Sequence, residues 1–199
     1  DIKNLAELSE ILKNDKENNI SVNTQWPMVE LGNVVDILDS MRKPVTKGDR
    51  KSGPYPYYGS TGILDYVDDY IFDERLVLVG EDGAKWDSGE NTSFIAEGKY
   101  WVNNHAHVMR CHKDKIIDTY LVNVLNEMDL SSYITGVTVP KLNQEKLRSI
   151  QIPLPHLEIQ QEIVSQLESY QKIIDGAKQV VNNYKPEIKI DPSWEITEL

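Results

Sequence analysis

Apolar positions along this chain keep three different spacings, and each change of spacing marks a change of structure. Ile2, Leu5, Leu8, Ile11 and Leu12 fall on one helical face, and a charged, Asn-rich stretch, Asn14–Asn23, follows them. Residues 1–24 therefore read as a short helix and a polar tether, as a linker from an upstream domain would. Trp26–Leu38 opens the globular part. Asp39–Gly62 reads as a long loop rich in turn residues, among them Lys43-Pro44, Gly48-Asp49 and Gly53-Pro54. Short apolar runs come next: Ile63–Val67, Tyr70–Phe72, Leu76–Val79, Ser93–Ala96, Tyr100–Val102 and Ala106–Cys111. Their lengths are those of strands, and the unbroken Leu76–Val79 run suits a strand covered on both faces. Helical spacing returns at Ile116–Met128, where Ile117, Leu121, Leu125 and Met128 share a face. A loop at 133–140, a short helix at 143–147 and a strand at 149–152 complete residues 25–152. This mixed order predicts an α+β domain on a mixed sheet.

The third spacing fills residues 153–186. Between Pro153-Leu154-Pro155 and Pro186, apolar residues fall at Ile163, Leu167, Tyr170, Ile174, Ala177, Val181 and Tyr184, a heptad seam held for three repeats. Proline marks both ends. At 1.5 Å per residue the predicted helix is about 45 Å long. Gln160, Gln161, Glu162, Glu168, Lys172 and Lys178 flank the seam as solvated positions. Such a stripe either lies across its own domain or forms half of a two-stranded coiled coil.

Composition narrows the class. The chain has 199 residues, one cysteine and a net charge of −11. No apolar run approaches the roughly 20 residues needed to cross a bilayer. The single Cys111 forms no internal disulfide and fits a reducing cytoplasm. The overall acidity argues against nucleic acid, but the distribution does not. From Met41 to Ser60 the chain carries Arg42, Lys43, Lys47, Arg50 and Lys51 against Asp49 alone, a net +4 that leaves −15 for the remainder. Lysines and arginines neutralise phosphates, and Arg42 and Arg50 can fork onto guanine edges. The same run also suits a solvated loop. Tyr57 ends the basic segment and is a candidate for sugar or base contact, or for packing beneath the loop. Lys85, Thr138 and Lys141 are further polar candidates on two other loops.

Sequences at 57–63 (Tyr-Tyr-Gly-Ser-Thr-Gly-Ile), 101–108 (Trp-Val-Asn-Asn-His-Ala-His-Val) and 152–163 (Ile-Pro-Leu-Pro-His-Leu-Glu-Ile-Gln-Gln-Glu-Ile) resemble the specificity subunits of type I restriction–modification systems. The resemblance covers roughly Trp26–Tyr184. It implies a target recognition domain that reads one half of a split site in double-stranded DNA. It also implies a spacer helix over 153–186 that docks methyltransferase subunits, with the chemistry on those and on restriction subunits. Family chains carry two such repeats. Trp194-Glu-Ile-Thr-Glu-Leu199 echoes Trp26-Pro-Met-Val-Glu-Leu31, as the first residues of a second copy would. Together with a start at Asp1, this reads as a piece of a longer chain: one repeat of two, a half-length subunit, or part of a methyltransferase fusion. With one long helix to hand, the seam is expected to pair with its own copy, antiparallel, in a homodimer.

Enzyme signatures are missing. No Gly-rich phosphate or cofactor loop follows a strand, no Asn-Pro-Pro-aromatic motif is present, and no cofactor is expected. His105 and His107, two apart, could join Cys111 or His112 at a metal, but buried, hydrogen-bonded histidines are the reading preferred here, with no metal.

Overall fold

The computed structural model describes residues 26–184; the helix expected at 2–12, its tether and the tail at 187–199 lie outside them. Ten strands are seen among these residues: β1 (Met28–Glu30), β2 (Val35–Ile37), β3 (Ser52–Gly59), β4 (Gly62–Val67), β5 (Phe72–Asp73), β6 (Leu76–Gly80), β7 (Ser93–Ala96), β8 (Lys99–Val102), β9 (Ala106–Cys111) and β10 (Gln151–Pro153). Helices α1 (Asp118–Glu127), α2 (Gln144–Ser149) and α3 (Leu157–Asn183) follow the sequence expectation closely.

The unbroken apolar run at β6 has the burial its sequence implies: every residue is buried. β9 and β7 flank it antiparallel, and β2 completes a four-stranded sheet in the order β2-β9-β6-β7. Strand alternation sends Val77 and Val79 to one core, with Met109 and with Tyr120, Leu121 and Leu125 of α1. It sends Leu76 and Leu78 to a second core with Phe72, Tyr100 and Val102 of the other sheet. The first sheet thus lies between helix and sheet, which is why β6 has no polar face.

The second sheet, order β4-β3-β8-β5, is mixed: β3 runs parallel to β8, and the other pairs are antiparallel. Its strand β3 corrects the sequence reading, which placed Ser52–Gly59 in a loop. Pro54 and Pro56 lack a backbone donor and look out of place in a paired strand. A register shift between Ser52 and Tyr55 accommodates Pro54. Gly53 sits so close to β4 that a Cβ there would lie 2.3 Å from the Asp68 Cα. β1 pairs with β10 in a separate two-stranded sheet.

The chain divides into two compact units, the first ending at Val164 and the second beginning at Ser165. The opening turns of α3 belong to the first unit, where Gln160 and Val164 are buried. In the second unit Leu167 and Tyr170 are half-buried, and Ile174, Ala177, Val181 and Tyr184 are exposed.

Candidate nucleic-acid interface

The basic segment between the turn at Asp39–Met41 and β3 is a loop of fixed backbone. Tyr57 hydroxyl accepts from the Val45 amide at 2.9 Å and donates to the Val45 carbonyl at 3.3 Å. Arg50 Nε donates to that same carbonyl at 3.1 Å, and its guanidinium lies 4.3 Å from the centre of the Tyr57 ring. Trp101 Nε1 donates to the Lys43 carbonyl at 2.6 Å. These anchors divide the five cations. Arg50 is spent on Val45, Tyr57 and Asp65. Lys43, Lys47 and Lys51 are exposed. Tyr57 is a correction: at 1 % exposure it packs beneath the loop and shapes it, and presents no face to a ligand. Asp65 is held below the ordinary carboxylate range by the Tyr66 amide first, then by Arg50, with Lys47 contributing.

Arg42 is the second correction. Its side chain is 12 % exposed, paired with Glu81 at 2.5 Å and Asp39 at 3.3 Å, and it donates to the Ala106 carbonyl at 2.7 Å. A guanidinium so engaged is not free to fork onto guanine. Lys141, the predicted contact on another loop, reaches the same carboxylate, with Nζ 2.6 Å from Glu81 Oε1. His107 completes the knot: Nδ1 meets Asp39 Oδ2 at 2.6 Å and Nε2 meets the Leu142 carbonyl at 2.7 Å. Both ring nitrogens therefore face oxygen atoms within hydrogen-bond distance. Burial pushes the Asp39 carboxyl up, but the His107 bond and charge, the Val108 amide and Gln144 outweigh it, and the net is below the ordinary value. Glu81 follows the same logic, with burial opposed by Lys141, Arg42 and His107.

Asp39, Glu81 and His107 could in geometry hold a metal, with one donor atom from each inside 4.8 Å. Two cations, Arg42 and Lys141, already occupy those carboxylates. The metal arrangement considered from sequence does not assemble. His105 precedes β9, is half-exposed and bonds Asp82 at 2.6 Å; it is not the buried histidine expected. His112 bonds Asp36, and Cys111 is buried with its thiol pushed up by desolvation, then by Asp118.

Two further loops carry the remaining candidates. Lys85 is exposed and paired with Glu90 at 3.0 Å, an acidic neighbourhood that weakens it as a phosphate contact. Thr138 is exposed on the loop that Thr135 and Lys141 close. Sequence reasoning missed its neighbours Val137 and Val139, which are both exposed; a Gly and a Pro around them signalled only a turn.

Gln160 also departs from expectation. It is fully buried rather than solvated. Its Oε1 accepts from the Ile117 amide at 2.9 Å, and its Nε2 donates to the carbonyls of Lys115 at 2.9 Å and Pro155 at 2.8 Å. The Pro-Leu-Pro…Gln-Gln motif is therefore a fastener that ties the start of α3 to the segment before α1.

Comparison with known proteins agrees with this architecture. Residues 23–183 match the model of the type I restriction modification DNA specificity domain. The Haemophilus influenzae protein S.HindORF215P, named as a type I restriction enzyme specificity subunit, is 41% identical over 140 residues, covering 70% of this chain and 36% of its own. The MjaVIII specificity subunit of Methanocaldococcus jannaschii is 27% identical over 162 residues, covering 78% and 38%. The fold is shared with the S subunit from M. genitalium at a TM-score of 0.64 and 12% identity, over 82% of this chain and 43% of that one. It is shared also with HsdS from Thermoanaerobacter tengcongensis at 0.56 and 17%, over 88% and 48%. The chain spans little more than a third of the length of the two curated relatives. On the match across 23–183, it belongs to the type I restriction modification DNA specificity domain family.

Proposed function

We propose that this chain is a non-catalytic module that recognises one half of a split site in double-stranded DNA within a type I restriction–modification complex. The observation that carries this reading is the set Lys43, Lys47 and Lys51, exposed on a loop whose backbone is pinned by Tyr57, Arg50 and Trp101, in a chain of net charge −11. Cations held on fixed backbone meet phosphates without the entropy cost of ordering a loop. Arg42, Arg50 and Lys141, each paired with a carboxylate, act as its scaffold. Methyltransferase and restriction subunits are the expected partners, with catalysis on them, and the cytoplasm is the expected location. No helix among the described residues is long and apolar enough to cross a membrane.

The test is a salt titration. Lys43→Ala, Lys47→Ala and Lys51→Ala together should weaken binding of the assembled complex to duplex DNA. They should also flatten log K against log salt by about 0.9 for each phosphate that is no longer neutralised. An unchanged slope places the DNA face elsewhere.

The long helix serves in this reading as spacer and docking element. Ile174, Val181 and Tyr184 are 46%, 74% and 72% exposed, and an apolar seam of this kind favours a second helix. The antiparallel homodimer expected from sequence is therefore kept as the arrangement for this chain in isolation. A coiled-coil interaction module without DNA specificity is the rival, and the same salt titration separates the two.

A further inference from the structure

Two valines stand in water on the loop at 136–140: Val137 is 102% exposed and Val139 64%. The loop that carries them is built rather than frayed. Thr135 and Lys141 exchange both backbone hydrogen bonds at its base, at 2.9 and 2.8 Å, and Thr135 Oγ1 adds a third to the Lys141 carbonyl at 3.1 Å. Gly136 takes a φ of +90°, and a Cβ there would lie 2.5 Å from the Val139 carbonyl oxygen, so the turn admits only glycine. A stiff loop that displays β-branched apolar residues is a contact surface waiting for a partner.

Charge says which partner. In a chain of net −11, no acid occurs between Asp129 and Glu145, and the single charge in that stretch is Lys141. Lys141 is fixed at 2.6 Å on Glu81, the carboxylate that also holds Arg42 at 2.5 Å. Arg42 is where the basic loop begins, so the base of the valine loop and the start of the lysine loop meet on one side chain. The loop itself carries no acid, and the Glu81 carboxylate at its base is covered by Lys141 and Arg42. An apolar tip so placed beside the start of the basic loop fits a duplex groove. Valine cannot hydrogen-bond a base edge. The apolar group that a duplex offers in the major groove is the thymine C5 methyl.

We propose that Val137 and Val139 touch base edges in the DNA major groove, thymine methyls in particular, while the exposed lysines hold the flanking phosphates. This rests on the DNA-recognition reading above and adds a sequence-reading element to it.

The experiment uses the full chain assembled with its methyltransferase subunits. A duplex selected from a randomised pool is compared with copies in which each thymine in turn is replaced by deoxyuridine, which lacks only the methyl. Wild type should lose roughly fourfold in affinity for each methyl the valines touch. The double variant Val137→Ser, Val139→Ser should bind the thymine duplex correspondingly more weakly and be indifferent to deoxyuridine. Its salt slope should stay at the wild-type value, because every lysine that meets a phosphate is kept. Both side chains face solvent, so an unchanged melting temperature is expected and serves as the folding control. The proposal is overturned if no thymine matters to wild type, if the variant keeps the thymine preference, or if the variant binds DNA normally but no longer associates with the methyltransferase subunits. A wild-type complex that selects no sequence at all overturns the DNA reading itself, a failure visible before any variant is made.

Discussion

Replacing Gln160 should unfasten the opening turns of α3 from the rest of the first unit. Gln160→Met keeps the length and most of the volume of the side chain but removes one acceptor and two donor hydrogens. It strands the Ile117 amide and the carbonyls of Lys115 and Pro155. The bond to Pro155 is buried, so its carbonyl bears the full cost of an unmet partner, about 1–3 kcal/mol. The other two are partly buried, and water recovers part of each. The total expected is about 2–4 kcal/mol, which for a domain of this size lowers the melting temperature by roughly 10 °C. Thermal unfolding followed by far-ultraviolet circular dichroism, with Glu162→Ala at an exposed position as control, measures it directly. A decrease no larger than the control's refutes the fastener. Gln160→Glu sharpens the test. It sets a carboxylate oxygen against two carbonyls in a buried site, which raises the folded-state pKa above the unfolded value of about 4.3. That variant is penalised at neutral pH and should regain stability as the pH falls through the folded value.

Three other outcomes follow from the geometry. Arg42→Ala leaves Asp39, Glu81 and the Ala106 carbonyl short of a buried partner and should cost about 3 kcal/mol in urea unfolding, whereas Lys47→Ala should stay within about 0.5 kcal/mol. Asp39 and Glu81 both have lowered folded-state pKa values, so their stabilisation is present above the unfolded value of about 4 and is lost as pH falls through the folded values. The urea midpoint should drop between pH 6 and pH 3, and a midpoint that rises over that range contradicts the assignment. Light scattering at micromolar concentration should give twice the chain mass, with Leu167→Glu plus Ile174→Glu giving monomer; a wild-type monomer removes the homodimer.

Much of the fold was legible because burial on both faces leaves an unbroken apolar run, as in Leu76–Val79, and because helical spacing survives in α1 and α3. β3 was not, since Pro54, Pro56 and its glycines signal a loop, and only the bulge and the close approach to Asp68 make them compatible with a strand. The basic window was visible as a charge run, but its division was not. Arg42 finds Glu81 thirty-nine positions away, and no local pattern announces such a pairing. Counting cations therefore overstated the free ones. Gln160 was misread for a related reason. Heptad spacing describes the helix as a whole, yet its opening turns pack on the domain, where a glutamine can satisfy three backbone groups at once.

The clasp of β1 with β10 has an evolutionary consequence. It pairs Met28–Glu30 with Gln151–Pro153, so the two ends of the segment they bracket lie side by side. Loops between those strands can lengthen, shorten or be traded for another lineage's without altering the gap between those two ends. In the DNA-recognition reading proposed above, changes in those loops alter the site that is read while the paired ends hold their spacing.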